Sequence, residues 1–350
     1  MSQFSPTIHP WNQELWQSLS AEPERVNHAL LFCGNQGLGK QSLSIALAHF
    51  LMCDNHSQSE ALFNAASHPD LHVLMPEVLA QDYLQKDEII ANFAQRYLES
   101  HSGKPRQVIN IEQIRKLSLA LTTHPHLSAI RVILILSADS MNANAANALL
   151  KNLEEPPENT LFILVTDELA SLPKTIRSRC GLVNFRAPDA NSSRAWLEQQ
   201  NQMPSDLIDT HLAMANNHPL QALALYKSGY VDVLKAIFTD VNGLWSNKLD
   251  PVQAAKNWQK VGSSVVIDVL QKLNTDLIRT YLGGVDQLPS KTVFFPVQQS
   301  WIKSVSAKLS KDRLVGMVDE LIYAKNMLKT TVDELLILET ISNKFRQLPE

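Results

Sequence analysis

Between Gly34 and Ser42 the chain reads GNQGLGKQS. Glycines ahead of a lysine let backbone N–H groups turn inward around phosphate oxygens. A helix starting at that lysine adds the positive end of its dipole. The phosphate-loop pattern G-x-x-x-x-G-K-[ST] is met at Gly34, Gly39 and Lys40, with Gly37 inside the turn. Lys40 would reach the outer phosphates of a nucleotide. The next position should carry a hydroxyl for magnesium and carries Gln41 instead. Ser42 is rotated by about 100° around the helix and is no simple substitute. The residues leave two readings open: a degenerate nucleotide site, or a glycine-rich strand-to-helix turn that binds nothing.

Hydrolysis also needs a metal strand, ending in an acid that holds Mg²⁺ and a second acid that orients water. The run Arg131–Leu136, RVILIL, is followed by Ser137, Ala138 and Asp139. Neither Leu136 nor Ser137 can do either job. Asp139 lies further along, where capping the next helix or an ordinary surface place is the simpler role. No metal is expected here. Zinc is not expected either: Cys53, His56 and His68 are scattered, and a structural site wants four thiolate or imidazole ligands. Cys33 and Cys180 are most simply small buried residues. Three cysteines without a C-x-x-C pair fit a reducing cytoplasm.

Positioning these residues falls to alternating strands and helices. Leu30–Cys33 is a short apolar run into the loop, and Leu43, Leu47, Phe50 and Leu51 recur beyond it at helical spacing. Further strands are expected at Leu71–Met75, Arg131–Leu136, Leu161–Thr166 and, more weakly, Leu182–Phe185. Residues 76–107 read as a helix with flanking loops. Ile111, Ile114, Leu117 and Leu121 mark a helical face, and Asn142–Leu153 a helix stopped by Pro156 and Pro157. The pattern predicts an α/β domain with a parallel sheet over residues 1–187. Beyond Pro188 helical periodicity dominates, with interruptions near Asn217–Pro219, Gly243, Gly283-Gly284 and Pro289. It divides into a small helical domain at 188–230 and a larger all-helical one at 231–350.

The chain has 350 residues, 45% hydrophobic and 19% charged, with a formal net charge of -4. That balance suits folded domains with real cores and fits poorly with a module that grips DNA alone. No apolar run approaches the roughly 20 residues of a membrane span. The N-terminus lacks an apolar core of signal-peptide length, so a soluble cytoplasmic protein is expected.

Asn147–Pro157, NALLKNLEEPP, followed by Leu161–Cys180, LFILVTDELASLPKTIRSRC, resembles the AAA+ clamp-loader family of bacterial DNA polymerase III. Ser178-Arg179-Cys180 matches that family's Ser-Arg-Cys motif, and Thr166 falls at its sensor 1 position. The start, HPWNQELWQSL, is similar as well, and so is Asp333–Ile341, DELLILETI. The resemblance implies an AAA+ domain, a small helical lid and an all-α collar. It implies gamma/tau motor subunits and the delta subunit as partners in a hetero-pentameric ring, with the sliding clamp and primed DNA met through the complex. Motor members keep a lysine-threonine loop, an acidic metal strand and a sensor 2 arginine. This chain has Gln41, Leu136, Ser137 and Leu220 at those places. The losses resemble the stator-type member, which hydrolyses no ATP and offers Arg179 in trans to its neighbour's ATP. Without the resemblance, Arg179 would read as an ordinary surface or interface arginine. No catalytic centre of its own and no cofactor are then expected beyond vestigial ATP or ADP binding at Lys40. The chain would still be part of a DNA-directed DNA polymerase holoenzyme, a nucleotidyltransferase. A self-sufficient ATPase of the same fold is the alternative, and an independent DNA-binding module a third.

Overall fold

The computed structural model describes residues 4–21, 27–53, 57–99, 103–283, 294–295, 298–306, 308–328, 330 and 332–349. Two compact units divide between Ala187 and Pro188. The first carries strands β1 (Ala29–Cys33), β2 (Leu71–Leu74), β3 (Arg131–Leu136), β4 (Thr160–Thr166) and β5 (Gly181–Asn184). They form one sheet in the order β2-β3-β4-β1-β5, with every pairing parallel.

Parallel strands need crossovers, and helices supply them. The unit's helices are α1 (Gln13–Ala21), α2 (Lys40–Cys53), α3 (Ser57–Asn64), α4 (Glu77–Lys86), α5 (Glu88–Gln95), α6 (Ile111–Ala120), α7 (Ala143–Glu154) and the four-residue α8 (Lys174–Arg177). Side chains alternate across a strand, so one continuous apolar run feeds two cores. In β3, Val132, Leu134 and Leu136 join residues of α2 to α5, whereas Ile133 and Ile135 join residues of α6 to α8. Likewise β4 sends Leu161, Ile163 and Val165 one way and Phe162 and Leu164 the other.

Residues 76–107 hold two helices rather than one. Asp87 ends α4 in extended conformation, and its carboxylate accepts from the Ile90 N–H at 3.3 Å to start α5. The α6 entry is a capping box: Asn110 Oδ1 accepts from Gln113 N, and Asn110 N donates to Gln113 Oε1, both at 3.0 Å. His68-Pro69-Asp70 works as a clasp. The Asp70 carboxylate accepts from the backbone N–H groups of His126, Leu127 and Ser128 at 2.7, 2.8 and 2.9 Å. These donors hold its pKa below the usual carboxylate range, although burial, the largest influence, pushes upward.

The regular elements of the second unit, among its described residues, are helices: α9 (Ala190–Gln200), α10 (Ser205–Met214), α11 (Pro219–Lys227), α12 (Tyr230–Trp245), α13 (Pro251–Val261), α14 (Ser263–Tyr281), α15 (Gln299–Ser306), α16 (Lys311–Met327) and α17 (Glu334–Arg346). Within it, Leu197, Ile208 and Leu212 centre one apolar core and Trp258, Leu270 and Leu338 another. The break expected near Gly243 comes just after it: α12 runs through the glycine to Trp245, and α13 starts at Pro251. A Cβ at Gly243 would come within 2.9 Å of Leu249 Cβ, so this glycine serves close packing. The breaks expected at Gly284 and Pro289 lie outside the described residues. Trp258 is wholly buried, and Trp301 packs on the same core, stacked on Trp245 at 5.5 Å. In Asp333–Ile341, Leu338 and Ile341 are core residues while Leu336 is 59% exposed. Among the described residues no helix is long and apolar enough to cross a membrane.

Candidate functional site

The sheet register brings the chemistry to one edge. Cys33, the last residue of β1, pairs with Thr166, the last of β4, and with Asn184, the last of β5. Leu136 ends β3 opposite Val165. The turns after β1, β3 and β4 therefore emerge side by side at the carboxyl ends of parallel strands, where open α/β sheets place ligands.

The turn after β1 is the glycine loop. Gly34, Gly37 and Gly39 have φ of 143°, 81° and 81°, a region that excludes most other residues. Two of them also answer to the chain's own packing. A Cβ on Gly34 would stand 2.7 Å from the Phe185 carbonyl oxygen, and one on Gly39 2.5 Å from His9 Cδ2. The segment before α1 straps this turn: Trp11 Nε1 and Asn12 Nδ2 both donate to the Leu38 carbonyl, at 3.0 and 2.8 Å. His9 stacks flat on Trp11, and its burial lowers its pKa.

Lys40 opens α2 with its side chain only 3% exposed. Its ammonium donates to the Gly34 and Asn35 carbonyls, each at 2.6 Å, and pairs with the Asp167 carboxylate at 2.7 Å. The group that should meet a phosphate is met by its own loop and by an aspartate. Gln41 is engaged elsewhere: its Oε1 accepts from the buried Tyr83 hydroxyl at 3.0 Å. The residue in the hydroxyl's place thus ties α2 to α4. As arranged, the lysine is paired within the chain, and residue 41 offers no hydroxyl for magnesium.

At the end of β3, Ser137 holds a left-handed conformation at φ 68°, rare for a residue other than glycine. Asp139 does not cap α7. It sits in a 3₁₀ turn, Ala138–Ser140, and accepts from Ser137 Oγ at 3.2 Å. The α7 cap is Asn142, whose Oδ1 accepts from Ala145 N at 2.8 Å. Asn142 wins because it directly precedes the helix, as an N-cap must. Burial raises the Asp139 pKa, and the charge of Asp167 adds to the rise, so the two carboxylates are neighbours. Thr166 is fully buried, and its hydroxyl oxygen accepts from Glu168 N at 3.2 Å, closing the turn that carries Asp167.

Arg179 follows α8 and Ser178. Its Nη1 donates to the Thr175 carbonyl at 2.8 Å, and Nη2 pairs with Glu154 Oε1 at 2.6 Å. The side chain is 34% exposed. Burial pushes the neighbouring Cys180 thiol up to about 11. Leu220 is the second residue of α11.

The zinc candidates are otherwise occupied. His68 Nδ1 accepts from Asp70 N at 3.2 Å, and its Nε2 lies 3.1 Å from Ser128 Oγ. Burial, helped by Glu60, pushes the Cys53 thiol up to about 12. His56 lies outside the described residues. Among the described residues, no three His, Cys, Asp or Glu gather in a geometry that could hold a metal.

Asp167 is the residue that sequence reasoning missed. Its one signal was its place directly after the strand that ends in Thr166. The Gln41–Tyr83 contact, across 42 residues, gave no signal.

A parallel sheet of this order, with a glycine loop after β1 and strand ends stripped of magnesium-handling residues, defines an altered P-loop domain of the AAA+ class. Within that class the chain belongs to the family described as DNA polymerase III, delta subunit, whose profile matches residues 11–189. It is 26% identical to a DNA polymerase III subunit delta' of Pseudomonas aeruginosa, across 98% of each chain. It is 30% identical to a subunit of the same name from Haemophilus influenzae, over 65% of this chain and 64% of that one. Among solved structures, a DNA polymerase III gamma subunit-related protein of Thermotoga maritima aligns at 15% identity and a TM-score of 0.46, covering 96% of this chain and 99% of that one.

Proposed function

We propose that this chain is the delta-prime, stator-type subunit of a bacterial clamp loader, acting in DNA replication. In this reading residues 1–187 are an AAA+ domain without turnover, 188–230 a lid, and 231–350 a collar. Gamma/tau motor subunits and the delta subunit flank it in a five-membered ring in the cytoplasm, which sets the sliding clamp on primed DNA. The relatives named delta' support the assignment.

The observation that carries the non-hydrolysing part is the state of Lys40. It is buried and paired with Asp167, Gly34 and Asn35, and Gln41 is bound to Tyr83. No cofactor is required, and ATP or ADP reaching the loop would lodge without hydrolysis. Arg179 supports the complementary half. A partly exposed guanidinium can neutralise charge developing on a phosphate held by a neighbour, an effect worth ~10³–10⁵ in rate in the best cases.

The test is reconstitution with the motor and delta subunits. Arg179→Ala should leave the ring assembled, by gel filtration, and lower ATP hydrolysis by at least about tenfold. Assembly with unchanged hydrolysis would sink the finger role. The purified chain alone should turn over no ATP. Magnesium-dependent turnover abolished by Lys40→Ala would establish the alternative, a self-sufficient ATPase, for which the intact glycine conformations speak.

A further inference from the structure

We infer that Glu154 is a positioning residue for Arg179, an inference that rests on Arg179 serving a neighbour's ATP. An arginine side chain has four rotatable bonds and carries about 2 kcal/mol of rotamer entropy. Left free, it would have to be ordered at every encounter with a phosphate. Here two elements fix it. The Thr175 carbonyl, within α8, takes an Nη1 hydrogen at 2.8 Å, and Glu154, the last residue of α7, holds Nη2 at 2.6 Å.

Both anchors are themselves immobilised. Leu153, before Glu154, is 1% exposed, and Ile176, after Thr175, is fully buried. Pro156 and Pro157 prevent α7 from extending past its end. The two holds leave the Nε–H without an acceptor among the described residues. The guanidinium therefore keeps a donor edge for a ligand while its orientation is set. The Glu154–Arg179 pair is solvent-accessible, with side chains 49% and 34% exposed, so it adds little to folding. Glu155 provides an internal control. It is exposed and one residue on, and its side chain makes no ion pair or hydrogen bond among the described residues.

The experiment uses the reconstituted complex and measures kcat and KM for ATP. Glu154→Ala should lower kcat about tenfold and leave KM and assembly unchanged, since a displaced catalytic group loses rate rather than affinity. Glu154→Gln, which keeps an acceptor without the charge, should fall between. Glu155→Gln should match wild type. Glu154→Ala combined with Arg179→Ala should equal Arg179→Ala alone, because the carboxylate acts only through the arginine. Normal kcat in Glu154→Ala beside an impaired Arg179→Ala overturns the positioning role and spares the finger. A raised kcat also overturns it, because Glu154 would then be restraining Arg179. Normal rates in both variants remove the finger and the positioning role together.

Discussion

Asp167→Asn probes the closed loop directly. The substitution keeps the shape and an acceptor oxygen while removing the charge opposite Lys40. Two unit charges about 4 Å apart attract by ~4 kcal/mol at an effective dielectric of 20. Asp167 is 47% exposed, so solvent screens much of this, whereas Lys40 at 3% exposure has no water to turn to. Breaking a fully buried pair costs about 3–5 kcal/mol and an exposed one about 0–1 kcal/mol. The Gly34 and Asn35 carbonyls remain in place, and Asp139 is freed of a like charge. A loss of about 2 kcal/mol is therefore expected, between the two ranges. For a domain of this size that is a fall of roughly 4–8 °C in Tm. The assay is thermal unfolding with and without pyrophosphate. The variant frees an ammonium for an anion, and a ligand at about 100 times its Kd adds ~2.7 kcal/mol. Pyrophosphate should raise the Tm of the variant and leave wild type nearly unmoved. A variant melting with wild type, or equal stabilisation of both by pyrophosphate, would refute the reasoning.

Gly39→Ala places a Cβ at φ 81° and 2.5 Å from His9 Cδ2. Left-handed strain of about 1–2 kcal/mol plus displacement of the strap predict a loss of ~2–4 kcal/mol by urea titration. Gly316→Ala, in α16 with nothing within 4 Å of the new Cβ, should instead stabilise by about 0.5–1 kcal/mol. A further expectation concerns acid. His72 is 6% exposed, and burial first, then the charges of Arg131 and Arg96, lower its pKa to about 4. Its unfolded counterpart titrates near 6.5. From about pH 6.5 down to 4 the unfolded chain therefore binds a proton that the fold refuses, and stability falls with pH, by ~3 kcal/mol at the acid end. His72→Gln should flatten urea midpoints measured between pH 7 and 4.5. An unchanged slope contradicts the assignment.

The strands were legible because β1, β3 and β4 are covered on both faces, and continuous apolar runs signal that burial. RVILIL nonetheless hides a charge, since Arg131 is 1% exposed at the start of β3. Periodicity cannot separate such a residue from a polar strand end. Strand order was not legible. Without it, nothing connects Lys40 with a residue 127 positions later, and the Lys40–Asp167 pair stayed invisible. For Asp139 local rules offered a cap or a surface place; the cap belongs to Asn142, and the neighbouring turn after β4 supplies the surroundings of Asp139. At Gly243 the breaker rule lands close to the end of α12, while the glycine itself serves the approach of Leu249. Gln41 and the residues after β3 were informative because they are departures from a pattern, read without any knowledge of distance.

Lys40 gives the glycine loop a meaning that motif counting misses. A lysine satisfied by two carbonyls and a carboxylate is wired into the domain as firmly as an apolar core residue. Replacing it with a residue of similar length and no charge would take a shared donor from three acceptors at once. The G-x-x-x-x-G-K signature can therefore be kept on architectural grounds, whatever its chemistry. In a ring of related subunits, the number of chains bearing the signature then sets only an upper bound on the number of sites that turn over.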